Sequence, residues 1–66
     1  MVRYLIKNKK YNTYLKYNKT IKFDHYVVTR DEATQFTKAE ATKRINGYKY
    51  PENWEMIEIN IKRLNK

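Results

Sequence analysis

Tyr11-Asn12-Thr13-Tyr14-Leu15-Lys16-Tyr17-Asn18-Lys19-Thr20-Ile21-Lys22-Phe23 decides the fold, because two strands and the turn that sets their register lie within it. Tyr11, Thr13, Leu15 and Tyr17 alternate with Asn12, Tyr14 and Lys16, the period of a half-buried strand. Asn18-Lys19 marks a turn, since Asn tolerates positive φ. A loop of these two residues alone would set Leu15 opposite Lys22 and turn Ile21 and Phe23 away from the apolar side. A one-residue slip reverses every side chain of a strand. The loop Asn18-Lys19-Thr20 instead pairs Tyr17 with Ile21, Leu15 with Phe23, Thr13 with His25 and Tyr11 with Val27, and burial favours it.

Toward the N-terminus, residues 2–7 also alternate, with Val2, Tyr4 and Ile6 on one side and Arg3, Leu5 and Lys7 on the other. Asn8-Lys9 is expected to form a two-residue turn. Tyr4-Leu5-x-x-Asn8-Lys9 recurs as Tyr14-Leu15-x-x-Asn18-Lys19, two strand ends repeating one turn signal.

Toward the C-terminus, a third strand over 21–28 leads to Thr29-x-x-Glu32, a capping-box pattern that recurs as Thr37-x-x-Glu40. The spacing predicts a short turn at 30–35, a break near Phe36 and a main helix over 38–46. Ala41, Ile45 and Tyr48 share a face of that helix, its alanines allow close approach to a sheet, and Gly47 suits a C′ position. Pro51 ends helical structure, and a last strand over 54–61 follows, with a frayed tail at 62–66. Ile57, Ile59 and Ile61 share one face of that strand. A regular strand would set Trp54 and Met56 opposite them; a kink after Pro51, turning both over the helix end as core, is the preferred reading.

Residues 1–66 are thus expected to form a single α+β domain, a small two-layer β-β-β-α-β arrangement. It has a three-stranded antiparallel meander, one main helix and a returning fourth strand. If the helix runs back across the sheet, that strand lies parallel beside the first.

The composition narrows function. A 66-residue chain has a thin core and no room for a deep enclosed active site, and self-association would add stability. It has no cysteine, so no disulfide or thiolate cluster staples it, which suits a reducing cytoplasm. Met1 leads straight into a strand-like run, so no secretory leader is expected, and no apolar stretch approaches the ~20 residues of a membrane span. Serine is absent too, the one glycine is needed elsewhere, and His25 is the sole histidine. Catalysis, a cofactor and a metal are therefore not expected. Asp24 and His25, adjacent on a strand, point apart and cannot readily share a proton. His25 is expected on the inner face, opposite Thr13.

The net charge of +8 is uneven. Residues 1–30 carry eight basic side chains against Asp24 alone, and residues 31–66 carry seven against six acids. Such a field attracts an anionic partner. Asn, Lys, Ile and Tyr make up nearly half the chain, and all have AT-rich codons, so coding bias is a competing source of the lysine. In the favoured register the sheet face away from the helix shows Arg3, Leu5, Lys7, Asn12, Tyr14, Lys16, Lys22, Asp24, Tyr26 and Val28. Arg3, Lys7, Tyr14, Lys16, Lys22 and Tyr26 are the candidate partner-binding residues on it, with Trp54 as a separate aromatic anchor.

Tyr4-Leu5-Ile6-Lys7-Asn8, the run from Thr29 to Phe36 followed by Thr37-Lys38-Ala39-Glu40-Ala41, and the isoleucine-rich last strand resemble small accessory proteins of phages and prophages of low-GC Gram-positive bacteria. The resemblance spans most of the chain, rests on structural signals and carries over no functional residue. It implies a cytoplasmic, non-enzymatic protein that docks on a host or phage protein, with an acidic surface, and modulates or inhibits it. The other expectation is a nucleic-acid binder using the same tyrosine and lysine face. No helix-turn-helix, zinc-finger or RNA-recognition signature is present.

Overall fold

The computed structural model describes residues 2–60, so Ile61 and the expected tail lie outside the described residues. Among the described residues four strands form one sheet: β1 (Val2–Asn8), β2 (Thr13–Asn18), β3 (Phe23–Val27) and β4 (Trp54–Asn60). Their order across the sheet is β3-β2-β1-β4. One helix, α1 (Lys38–Asn46), packs on β1 and β4. The expected α+β meander with a returning fourth strand is the fold.

Both hairpin turns are longer than the sequence predicts, for one shared reason. The Asn8 side-chain oxygen accepts from the N–H groups of Lys10 and Tyr11 at 2.9 and 3.1 Å. Asn18 accepts from Thr20 and Ile21 at 2.9 and 3.3 Å. Each Asn therefore ends a strand and anchors a turn over the next residues. The turns close through left-handed residues, Asn12 at φ 57° and Lys22 at φ 53°. Asn8 pairs with Thr13 and Asn18 with Phe23, so four residues form each loop.

The second turn corrects the register. Leu15 lies opposite Tyr26, Lys16 opposite His25, Tyr17 opposite Asp24 and Tyr14 opposite Val27. Relative to the expected pairing β3 has slipped by an odd number of residues, which exchanges its faces. Asp24 and Tyr26 turn toward the helix side, while Phe23, His25 and Val27 turn away. His25 therefore faces Lys16 rather than Thr13, edge-on to Phe23 with ring centroids 4.9 Å apart.

β1 and β2 share only the pairs Lys7↔Tyr14 and Asn8↔Thr13. Beyond them the strands splay, and residues 33–36 run through the gap. The Thr34 N–H donates to the Leu15 carbonyl at 3.1 Å, and the Tyr17 N–H donates to the Thr34 hydroxyl at 2.7 Å. Phe36 and Tyr4 exchange two backbone bonds of 2.8 Å as an antiparallel bridge. This wedge satisfies backbone groups that splaying would otherwise orphan. It also carries the chain from one face of the sheet to the other.

The wedge explains the direction of β4. After β3 the chain makes a 3-10 turn at Arg30–Glu32, descends through the gap, and only then starts α1. The helix therefore climbs, and β4 descends. β4 lies beside β1 as expected but antiparallel, from Val2↔Asn60 to Asn8↔Trp54.

Two apolar clusters result. On the helix side Ile6, Leu15, Phe36 and Ala41 are buried, with Tyr4, Tyr17, Ile45, Tyr48, Trp54 and Met56 against them. On the other side Leu5, Tyr14 and Ala33 are buried, with Val27, Ile57 and Ile59 around them. β4 keeps its alternation from Trp54 onward, so Trp54 and Met56 reach the helix side without a kink. Leu5, Ile6 and Leu15 are each buried to 1% exposure or less, worth about 1.5–3 kcal/mol apiece.

The helix boundaries match the sequence expectation. Thr37 and Glu40 form a complete capping box, through bonds of 3.0 and 3.2 Å. Gly47 differs: at φ −87° it is an ordinary right-handed C-cap, and the freedom of glycine is not used there.

Candidate functional site

The residues expected to form one basic tyrosine face are divided by the observed register. Tyr14, Lys7 and Lys16 stay on the face away from the helix, but Tyr14 is only 9% exposed. Its hydroxyl accepts from Arg30 Nε at 3.3 Å, and Lys7 Nζ lies 6.0 Å from its ring. The covered ring has become core. Tyr26 stands on the helix side, where its ring lies 5.8 Å from Trp54. Lys22 is exposed in the turn, and Arg3 is half-buried beside the wedge. Lys16 is exposed.

Arg3 lines a cleft of about 510 Å³ with Tyr17, Lys19, Phe36, Glu40 and Arg44. Arg3 and Lys19 lie near the start of α1, yet the chain supplies the anion itself. The Thr37 backbone N–H, helped by the charges of Arg3 and Lys19, holds the Glu40 carboxyl below the usual carboxylate range.

The free edge of the sheet is the prominent feature that the sequence reading missed. β3 has β2 on one side and, among the described residues, no strand on the other. Ile21 (61%), Phe23 (57%), Tyr26 (52%) and Val28 (76%) are all exposed along it. The only acid on β3, Asp24, is bound to Arg44 at 3.3 Å. The Arg44 guanidinium also sits 4.4 Å from the Tyr17 ring and 5.3 Å from Phe36, clasping α1 to the sheet. Lys19, Lys22 and Arg30 remain exposed at the ends of β3. The opposite edge, β4, carries Glu55, Glu58 and Asn60 instead.

One signal could have revealed this edge. The ten-residue repeat of Asn8 as Asn18 implies equal loops, and a four-residue second loop puts Ile21 in the turn and Phe23 at a strand start.

Among the described residues no three His, Cys, Asp or Glu side chains converge in a way that could hold a metal. No described helix is long and apolar enough to cross a membrane. Compared with models of protein families, with characterised proteins and with solved structures, the chain matches none.

Proposed function

We propose that this chain is a non-enzymatic docking protein that modulates another protein by seating β3 against an extended acidic segment of it. The observation that carries the reading is the β3 edge, which has no partner strand among the described residues and exposes Ile21, Phe23, Tyr26 and Val28 along its length, Phe23 and Tyr26 on opposite faces of the sheet. Unprotected apolar edges are liabilities that soluble proteins blunt with charge or cover. A partner strand would satisfy the free backbone groups, and alternate side chains would give specificity. The charge indicates which strand. With Asp24 neutralised, the edge is flanked by Lys19, Lys22 and Arg30. A second copy pairing there would bring like charges together, whereas an acidic segment is attracted.

The test places a photo-crosslinking benzoylphenylalanine at Phe23, and for comparison at Lys38 on the helix surface, in a lysate of the cell that encodes the protein. The expected result is a discrete adduct from position 23, mapped to an acidic peptide and lost on Ile21→Asp. Adducts only to a second copy of this chain, or equal adducts from position 38, would overturn the proposal.

A further inference from the structure

A second surface lies at the hairpin end of the helix side and shares only Tyr26 with the β3 edge. Asn8, Tyr11, Thr13, Tyr26 and Trp54 line an almost wholly apolar cleft of about 420 Å³. That volume is within the range of ~300–1,000 Å³ typical of ligand sites. An adjoining cleft of about 380 Å³ is lined by Asn8, Lys10, Tyr11, Tyr48, Lys49, Tyr50, Asn53 and Trp54. Asn8, Tyr11 and Trp54 are the walls common to both.

Trp54 is held in place by two neighbouring rings. The Tyr48 ring stacks on it at 4.3 Å and 22°, and Tyr26 meets it at 5.8 Å and 40°. Its indole is therefore fixed before any ligand arrives, so little side-chain entropy remains to be lost on stacking. Tyr11, 67% exposed at the end of the first turn, forms the outer wall.

The chemistry of the lining selects the ligand. Neither cleft has an Asp or Glu in its lining, and the protein carries a net charge of +8. An aromatic cage for an organic cation draws on the ring faces, but here the surrounding field repels a cation. A flat ligand attached to negative charge meets no such opposition. Lys10 lies 5.4 Å from the Tyr11 ring and Lys49 5.6 Å from the Tyr50 ring, so each ammonium sits next to an aromatic surface. Aromatic rings interleaved with lysines are what single-stranded nucleic-acid sites use, with bases on the rings and phosphates on the lysines.

We infer that the Trp54 cleft binds a base of single-stranded nucleic acid, with Lys10 and Lys49 on the neighbouring phosphates. This goes beyond the docking role, and its test does not depend on it.

Trp54 is the chain's single tryptophan and therefore a built-in reporter. A fluorescein-labelled octamer of deoxythymidine is titrated at low salt, following anisotropy and indole fluorescence together. Binding should quench Trp54. Tyr11→Ala, at a residue exposed enough to leave the core intact, should weaken binding by about tenfold. Replacing Lys10 and Lys49 together by alanine should lower the slope of log affinity against log salt by about 1.4. Phe23→Asp, on the sheet edge, should change neither. An abasic octamer should bind weakly and leave the indole unquenched. Equal binding of the abasic strand, or no effect of Tyr11→Ala, would overturn the inference. Absence of binding, with quenching instead by an apolar peptide, would assign the cleft to a protein side chain and overturn it too.

Discussion

Leu5 and Ile6 are neighbours in the chain, point to opposite faces of the same strand, and are 1% and 0% exposed. What covers them differs. Ile6 lies under a regular helix with a complete capping box. Leu5 lies under Ala33, at the end of an irregular stretch with a single 3-10 turn, supported by Tyr14, Ile57 and Ile59. Periodic covers leave a period in the sequence, and irregular covers do not. A strand residue buried beneath a loop thus looks, in sequence, like one facing water.

The most demanding test of that comparison is a pair of truncations. Leu5→Ala and Ile6→Ala should each destabilise the protein by about 2–5 kcal/mol, measured by urea unfolding. In a domain whose total stability is of order 5 kcal/mol, either change is severe. A cost under about 1 kcal/mol for Leu5→Ala alone would mean that the second face is not a core.

Removing the join between the faces should cost less. Thr34→Val keeps the shape but takes away the acceptor of the Tyr17 N–H, a bond of 2.7 Å. A loss of about 1–3 kcal/mol is expected, with faster exchange of the Tyr17 amide read by NMR. An unchanged exchange rate would show that water replaces the hydroxyl without cost.

The smallest effect sharpens the register on which the second face depends. Lys22 holds φ 53°, a region unfavourable to a lysine, whereas the matching position of the first turn is an asparagine. Lys22→Gly should raise stability by about 1 kcal/mol in the same urea assay. A loss instead would mean that the turn at residues 19–22 does not set β3 where it lies.

The sequence made the periodic parts legible. Thr37-x-x-Glu40 located α1 to the residue, and the alternations of β1 and β2 gave their faces correctly, whereas β4 keeps a regular alternation in place of the expected kink after Pro51. It was misleading where two local signals competed. Burial of Ile21 and Phe23 argued for a three-residue loop, while the Asn18 side chain, bonded to Thr20 and Ile21, imposed four. The side-chain hydrogen bonds prevailed, and the two apolar residues were left exposed. The wedge was illegible for another reason: its bonds join residues 17 apart or more, and nothing within residues 33–36 announces a partner that distant. Of the proposed site residues, Trp54 kept a place in an aromatic cleft and Tyr26 joined it there, while Tyr14 went into the core.

The wedge also bears on the order in which the chain can assemble. The first hairpin has its contacts nearby in sequence and is able to close early, but only the two pairs next to its turn belong to the finished sheet. A hairpin that zipped along its whole length would shut out residues 33–36 and would have to reopen to admit them. The sheet therefore becomes continuous only when a segment from later in the chain has filled its middle.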